Sequence, residues 1–408
     1  MAFPKHQDYR DSGVDWLREV PSHWQITPLK RFFSVSSGDF LPSQNQSNGG
    51  YSVYGGNGLR GFANTFNNSG RMLLIGRVGA KCGNVHLVDG KYWVSEHALR
   101  VLPRKKFCLD FFKYLLEAID FNRFAIRTAQ PLINSEIVLV QKVAIPSYEE
   151  QERIANFLDR KTSEIDQAIA QKQRLIELLQ EQKAILINQA VTKGLKPSTP
   201  MRDSGIEWLG KIPEYWQVTR LKRLFLEIDD RSTNGSEILL SLRMYAGLVP
   251  HNDVSDKPIE DTALVGYKRV YPGQIVMNRM RAAIGLFGVA SIFGIVSPDY
   301  AIFCQIRDLR VDYYLNLFKT ESMKQEFLLE SKGLGTGSSG FLRLYSDKFG
   351  MIKVPFPPLE EQAEICNHIQ EIGNQFSTAL KKVEKEINLL KELKSIFISQ
   401  SVTGKIKV

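Results

Sequence analysis

One stretch of this sequence occurs twice, and that repeat constrains the fold more than any other feature. Residues 11–31 read DSGVDWLREVPSHWQITPLKR and residues 203–223 read DSGIEWLGKIPEYWQVTRLKR, with 12 of 21 positions identical at an offset of 192. A second pair, residues 146–195 and 357–406, begins with PSYEEQER and PPLEEQAE and has an offset of 211. A constant frame around two unlike segments predicts one scaffold used twice to present two different surfaces.

The second repeat predicts two long helices. Its apolar residues recur at steps of three, four or seven, which is the seam of a coiled coil. Each stretch follows a proline, opens with Glu-Glu-Gln and lacks proline up to Gly194 or Gly404, so each is predicted to be a helix of roughly 45 residues. Because a seam needs a partner, we expect antiparallel pairing about an approximate two-fold axis. The alternative is that each helix packs only on its own globular domain.

The repeats divide the chain into four parts. We expect recognition domains over residues 1–148 and 197–358 and spacer helices over residues 149–196 and 359–408. The predicted fold class is α/β (α+β), with two globular domains separated by a pair of long antiparallel coiled-coil helices in a pseudo-two-fold repeat.

Short apolar runs give the elements inside the variable domains. Met72–Gly79 is interpreted as a strand and a tight loop that projects Arg77, and Val270–Met277 as another strand followed by a polar loop. Leu109–Ile119 and Tyr313–Leu329 are predicted to be helices.

Positive charge is concentrated in the variable domains. The chain has a net charge of +9; residues 1–148 hold 18 Lys and Arg against 11 Asp and Glu (+7), and residues 197–358 hold 20 against 18 (+2). Residues 149–196 and 359–408 balance at 8 against 8 and 7 against 7. This pattern favours a polyanionic ligand held by the variable domains. A merely basic surface is the alternative, above all for the second domain.

Polar side chains at the predicted loop tips are those that read base edges and phosphates. Arg can bind guanine in a bidentate manner, Asn and Gln can bind adenine, and Lys can bind phosphate. The candidate DNA-binding residues are Asn45, Gln46, Asn48, Tyr54, Asn57, Arg60, Arg77, Lys81, Asn84, Arg127, Gln130, Arg231, Asn234, Arg243, Asn278, Arg279, Arg281, Ser338 and Arg343. For any single residue the alternative is an ordinary solvated loop residue.

These motifs together resemble the specificity subunit of type I restriction–modification systems. The resemblance rests on the repeated DSGxxWL…PxxW…LK frame, the PPLEEQ helix start, VYGGNG (Val53–Gly58), GRVGAKCGNV (Gly76–Val85) and VSEHAL (Val94–Leu99), and it extends over essentially the whole chain. It implies two target recognition domains that each read half of a bipartite double-stranded DNA sequence. It further implies helices that space these domains and bind two modification subunits.

The same resemblance implies where the chemistry lies. The modification partners methylate adenine with S-adenosylmethionine, restriction subunits that use ATP and Mg²⁺ join the larger complex, and this chain holds no cofactor. The four cysteines lack a CxxC pairing and the N-terminus lacks an apolar signal core, so we expect reduced thiols and a cytoplasmic location in a bacterium or archaeon.

The sequence offers little support for a reaction site. It contains no Asn/Asp-Pro-Pro-Tyr/Phe loop of an amino-methyltransferase, and the six histidines show no HxxxH spacing, so no metal site is predicted. A rival hypothesis is a metal-dependent nuclease with Asp299, Glu330 and Lys332. A third is a coiled-coil adaptor that does not contact DNA.

Overall fold

The structure is a computed structural model, which describes residues 4–127, 130–244, 246–256, 259–334 and 341–408. The chain divides into two compact units. The first consists of Met1–Gln173 and Glu384–Val408, and the second of Arg174–Val383. Both boundaries fall within the long helices, so each unit contains a part of both helices.

The first unit is built from short strands and helices. In chain order these are β1 Tyr9–Asp11, β2 Glu19–Pro21, β3 Gln25–Pro28, β4 Phe33–Ser37, β5 Gln46–Ser47, β6 Tyr51–Gly55, β7 Gly58–Ala63, β8 Asn68–Ser69, β9 Met72–Gly76, β10 Val85–Val88, β11 Lys91–Val94, β12 Ala98–Pro103, α1 Leu109–Ile119, α2 Ser135–Leu139, β13 Lys142–Ile145 and the start of α3 Tyr148–Lys193. One sheet has the order β10-β9-β12-β4 and another has the order β5-β7-β6-β11-β8. Helix α1 was predicted with these bounds because its apolar residues, which are buried in the core, recur with helical spacing.

The second unit repeats this plan with different strands. Its elements are β14 Met201–Asp203, β15 Lys211–Pro213, β16 Gln217–Arg220, β17 Phe225–Ile228, β18 Leu240–Arg243, β19 Gly247–Pro250, α4 Asp261–Leu264, β20 Lys268–Val270, β21 Ile275–Asn278, β22 Phe287–Val289, β23 Gly294–Val296, β24 Tyr300–Gln305, α5 Val311–Phe318, α6 Glu321–Glu330, β25 Lys332–Leu334, β26 Phe341–Arg343, α7 Ser346–Met351, β27 Lys353–Phe356 and α8 Leu359–Val402. Its largest sheet has the order β17-β24-β21-β22, with antiparallel neighbours.

Two predicted elements differ from the structure. The helix expected over Tyr313–Leu329 is divided into α5 and α6, because the Thr320 hydroxyl donates to the carbonyl of Leu317 and accepts from the amide of Met323, which caps a new helix. The strand expected over Val270–Met277 is interrupted by a turn in which Gly273 has a φ of +85°. Both breaks depend on single turn residues inside an otherwise apolar pattern.

The two long helices predicted from the seam are present as α3 and α8. In the first unit, Lys172 of α3 pairs with Glu386 of α8, and Asp166 pairs with Lys394, each at 2.7 Å. Residue numbers rise along α3 as they fall along α8, so the helices run antiparallel there. Gly194 follows α3 with a φ of +76°, the left-handed conformation that ends helices.

The Glu-Glu-Gln motif at each helix start holds the repeated frame together. In the first unit, the indole Nε1 of buried Trp24 donates to Glu150 at 3.2 Å, and the side chain of Gln151 accepts from the amide of Cys108, which caps α1. The second unit has the same arrangement, with Trp216 donating to Glu361 at 2.8 Å and Gln362 accepting from Arg310. Each copy of the sequence repeat therefore forms the same junction. In it, the start of a long helix binds the tryptophan segment and the residue that precedes a helix of the variable domain.

No helix among the described residues combines the length and the apolar character needed to cross a bilayer.

Candidate nucleic-acid interface

A surface cleft of about 410 Å³ in the first unit gathers four of the predicted DNA-binding residues. Asn57, Arg60, Lys81 and Gln130 line it, together with backbone from two glycine-rich loops. One loop joins β6 to β7 and the other follows β9. We call this cavity the recognition cleft.

Two glycines allow these loops to meet. A Cβ atom at Gly56 would lie 2.6 Å from the carbonyl oxygen of Val78, and one at Gly76 would lie 2.0 Å from the carbonyl oxygen of Gly56. No side chain fits at either position, so the glycines of VYGGNG and GRVG bring one loop against the other. The conformation of both loops is thus set by backbone packing.

The cations of the recognition cleft are available for a ligand. Arg60 and Lys81 are exposed, and neither side chain has an ion-pair or hydrogen-bond partner among the described residues. Asn84 donates to the side-chain oxygen of Asn57 at 3.1 Å, which joins the two loops at the rim. Free Lys and Arg beside an amide pair form a surface that can bind phosphate and base edges.

Other candidates in this unit are engaged within the protein. The guanidinium of Arg77 donates to the hydroxyl of Ser37 at 3.0 Å and to the carbonyl of Glu96 at 3.3 Å, so the loop does not project it freely. Arg127 donates to Asn122 at 3.4 Å, and Asn122 in turn donates to the carbonyls of Ala80 and Cys82. Arg77 and Arg127 therefore stabilise the walls near the cleft.

The remaining candidates of the first unit lie apart from the cleft lining. Tyr54 packs edge to face on Tyr92, with ring centroids 5.8 Å apart, and belongs to a small core cluster. Gln46 and Asn48 are exposed at and after the short strand β5, and the carbonyl of half-buried Asn45 accepts from the amide of Asn64.

A half-buried histidine supports the β6–β7 turn. The His86 ring lies 3.1 Å from where a Cβ of Gly58 would be, and its Nε2 atom is buried without a partner among the described residues. Burial lowers the pKa of His86, which favours the neutral ring. His97, which also lines the cleft, has its Nε2 atom 3.2 Å from the Glu96 carboxylate. Sequence reasoning missed the role of His86, because residues far apart in the chain create its surroundings.

Two of the arginines predicted to bind DNA in the second unit have unpaired side chains. Arg243, at the end of β18, and Arg281, in the turn after β21, are exposed and have no side-chain partner among the described residues. Arg231 and Arg279, which were also predicted to bind DNA, are paired with carboxylates.

Lys268 lies at the centre of these pairs. It is buried, with its Nζ atom 3.3 Å from Asp229 and 3.8 Å from Glu227. Arg231 binds Asp229 at 3.1 Å, and Arg279 binds Glu227 and the hydroxyl of Ser346. We call the five charged residues Lys268, Asp229, Glu227, Arg231 and Arg279 the ion-pair network. Burial would raise the pKa of Asp229, but hydrogen bonds from Arg231 and Lys268 hold it below its usual range.

Glu237 also accepts hydrogen bonds from side chains of the same unit. The hydroxyl of Ser232 and the guanidinium of Arg269 bind it, and both hydrogen bonds lower the pKa of Glu237. Asp230 accepts from the hydroxyl of Tyr271.

The last four candidates have partners within the protein or lie outside the described residues. Asn278 accepts from the amides of Met280 and Arg281 and so shapes their turn. Asn234 accepts from the amide of Ser236 at 3.3 Å. Arg343 lies 3.5 Å from Asp299 and stacks near Tyr345. Ser338 lies outside the residues that the structure describes.

Comparison with known proteins identifies the class to which this frame belongs. The model of the type I restriction modification DNA specificity domain matches residues 21–178 and 282–389, which is more than half of the chain. The chain therefore belongs to this family, whose members act in type I restriction–modification systems as the DNA specificity subunit.

Individual relatives agree with this assignment. The chain is 37% identical to the Escherichia coli type I restriction enzyme EcoprrI specificity subunit over 110 residues, 27% of each chain. It is 23% identical to the putative type I restriction enzyme MjaX specificity subunit of Methanocaldococcus jannaschii across 100% of this chain and 99% of that protein.

A solved structure shows the same fold. It comes from work on the structural basis of complex assembly and conformational transition of the type I R-M system. It superposes on this chain with a TM-score of 0.63, over 94% of this chain and 98% of that chain, at 16% identity. This likeness supports the predicted class of two recognition domains with long helices.

Proposed function

We propose that this chain reads the two halves of a bipartite double-stranded DNA target and docks two modification subunits, with two restriction subunits joining in the full complex. The observation that supports this proposal most strongly is that the two units share one repeated frame but differ in the polar residues of their variable domains. Both units keep the same tryptophan–glutamate clamp, Trp24 with Glu150 and Trp216 with Glu361, while the polar residues on the variable domains differ. A scaffold duplicated in this way suits two different readers that are assembled by one common mechanism.

Each reader has its own set of DNA contacts in this proposal. Lys81 binds phosphate beside the recognition cleft, and Arg60 and Asn57 reach base edges from the same wall. In the second unit the corresponding cations are Arg243 and Arg281, because Arg231 and Arg279 are occupied by carboxylates. Phosphate contacts supply much of the affinity, so binding weakens as salt rises.

Matching grooves on the two units support the docking of two copies of one partner. A groove of about 740 Å³ in the second unit is lined by α3 residues Gln180, Lys183, Ala184, Ile187 and Asn188 and by residues 316–324. A groove of about 470 Å³ in the first unit is lined by α8 residues Lys391, Lys394, Ser395, Ile398 and Ser399 and by the end of α1. Adding the repeat offset of 211 to each of these five α3 residue numbers gives the corresponding α8 residue of the groove in the first unit. Each unit thus carries a groove at the equivalent position of one long helix.

Exposed apolar side chains at other positions of the two long helices repeat as well. Leu178 and Ile185 of α3 are 46% and 48% exposed, and their repeat equivalents Leu389 and Ile396 of α8 are 52% and 49% exposed. Exposed leucine and isoleucine side chains that recur at equivalent positions of both helices favour a protein contact that is made twice. We therefore assign the helix face that carries these apolar side chains to a modification subunit.

Methyl transfer and DNA cleavage belong to the partners in this proposal. The modification subunits supply S-adenosylmethionine chemistry and the restriction subunits supply ATP- and Mg²⁺-dependent action, while this chain supplies specificity. The nuclease rival has little support: Asp299 is paired with Arg343, and within the described part of the chain neither Asp299 nor Glu330 joins a group of three metal-ligating side chains.

Two measurements test the proposal. Purified chain with its modification subunit should retard duplex DNA containing the target far more than random duplex; equal retardation of both would contradict sequence reading. Plasmid incubated with the chain alone and Mg²⁺ should stay intact, since cleavage that is lost in Asp299→Ala would favour the nuclease.

The docking claim has its own variants. Leu178→Asp and Leu389→Asp should each reduce the measured mass of the complex by one modification subunit, and the double variant should remove both. Leu329→Asp is the matched control, because Leu329 is 78% exposed but lies off the long helices. Full occupancy in the double variant would place the contact elsewhere.

A further inference from the structure

Three side chains from distant parts of the first unit meet at the start of α3. The Nε2 atom of His23 lies 3.2 Å from one carboxylate oxygen of Glu150, and the Nε2 atom of His6 lies 3.9 Å from the other. The ligand atoms of the three residues all lie within 4.8 Å of one another. Because 127 positions separate His23 from Glu150, no sequence spacing could reveal the cluster.

This spacing fits a bound metal ion. Tetrahedral Zn²⁺ with nitrogen and oxygen ligands at about 2.0–2.2 Å places neighbouring ligand atoms roughly 3.3–3.6 Å apart. The two histidine–carboxylate distances, 3.2 and 3.9 Å, lie on either side of that range. All three ligand atoms lie within 4.8 Å of one another, so small side-chain rotations would suffice to bring them onto one ion. Two imidazoles and one carboxylate form a ligand set that Zn²⁺ commonly takes, with a fourth position left for water.

The surroundings also suit a ligand site. His6 and Glu150 are buried, with side chains 8% and 9% exposed, whereas His23 is 56% exposed and leaves a path from solvent. Trp24 donates to the Glu150 carboxylate and fixes its orientation, which is the usual role of a partner behind a metal ligand. A cavity of about 350 Å³ opens beside the three side chains.

The second unit supplies an internal comparison. There the equivalent Glu361 is satisfied by the indole of Trp216 and by the hydroxyl of Tyr215, at 3.0 Å. Tyr215 occupies the position of His23, and Ser198 occupies the position of His6. The frame therefore folds around its glutamate without any histidine, and the histidine pair of the first unit is an addition that the scaffold does not need.

We propose that His6, His23 and Glu150 form a Zn²⁺ site that joins the N-terminal segment to the start of α3. His6 precedes β1, and the hydroxyl of Tyr9 donates to the carbonyl of Gly404, so the ion stabilises the region where the two ends of the chain meet. Arg153 and Lys407 line the same cavity. Their positive charges oppose a divalent cation, so they lower its affinity.

The full-length chain, under reducing conditions, provides the test. Isothermal titration with Zn²⁺ should give one saturable site, and Co²⁺ should give the visible spectrum of a tetrahedral nitrogen and oxygen site without a thiolate charge-transfer band. His23→Tyr, which installs the residue of the second unit, and His6→Gln should each weaken Zn²⁺ binding by more than about 10-fold. Lys407→Gln should tighten it several-fold, because it removes an opposing charge.

The control is His368→Gln, which changes an exposed histidine of α8 outside the cluster and should leave affinity unchanged. Circular dichroism and DNA retardation establish that each variant is folded. The proposal is overturned by the absence of saturable Zn²⁺ binding to the wild-type chain, by equal affinity in folded His23→Tyr, or by a cobalt spectrum dominated by thiolate ligands.

Discussion

The two recognition units use the same frame and the same clamp, but the second also contains an ion-pair network around a buried lysine. In the first unit, Arg60 and Lys81 flank a cleft, and their side chains have no partner among the described residues. In the second unit, Lys268, Arg231 and Arg279 are held by Asp229 and Glu227. Residues 1–148 and 197–358 carry net charges of +7 and +2. The comparison shows that a basic residue in a variable loop can be held by a carboxylate of its own domain, which the loop sequence alone does not reveal.

The largest expected effect comes from the buried cation of the ion-pair network. Lys268→Met leaves Glu227 and Asp229 without their shared partner and should lower the free energy of unfolding by about 2–3 kcal/mol, less than for a fully buried pair because both carboxylates are partly exposed. Denaturant unfolding measures it. Lys81→Met, the matched change in the first unit, should alter stability by less than about 0.5 kcal/mol. Equal losses in both variants would remove the distinction between the units.

The next effect separates free from paired arginines. Arg60→Ala should cost about 1–3 kcal/mol of DNA binding and relax the preference at one base position, because this guanidinium is free to read a base. Arg231→Ala should change DNA affinity less than about twofold, since Asp229 already holds its guanidinium. Titration of labelled target duplex by the complex compares them. A loss in Arg231→Ala as large as that in Arg60→Ala would show that the pairing is broken on DNA.

A smaller effect concerns the phosphate contact. Lys81→Ala should weaken binding to all duplexes by a similar factor and reduce the slope of log affinity against log salt by about 1. Affinities measured at several salt concentrations give that slope. A change confined to one base position would assign Lys81 to base reading instead.

The smallest effect is a pH dependence confined to the second unit. The pKa of Glu237 is lowered by hydrogen bonds from Ser232 and Arg269, so its stabilising contribution is present above its unfolded pKa and is lost as pH falls through the folded one. Hydrogen exchange of β20 and β23 should therefore lose more protection on acidification in the wild type than in Glu237→Gln. Glu371→Gln, an exposed change on α8, is the control and should behave as the wild type.

Much of the architecture could be predicted because its signals are local or repeated. The long helices follow from the seam and the terminal glycines, and α1 follows from its apolar period. The sequence also marked the two loops of the recognition cleft, since glycines at Gly56 and Gly76 permit an approach that any Cβ would prevent.

The side-chain partners of two predicted arginines could not be foreseen, for one physical reason. The loop that follows β9 was expected to project Arg77, but Ser37 and the carbonyl of Glu96 hold its guanidinium. Arg279 is similarly held by Glu227. Partners 40 and 52 positions away decide both outcomes, and a single sequence does not show which distant side chains meet. The same reason hid the cluster of His6, His23 and Glu150.

Selection of DNA from a random pool by the complex with its modification subunits tests the central claim most directly. The wild type should enrich a site of two half-sequences separated by a fixed gap. Arg60→Ala should alter only one half, and Arg243→Ala only the other, with the gap unchanged. A single continuous site, or one variant that alters both halves, would contradict two independent readers on a repeated frame.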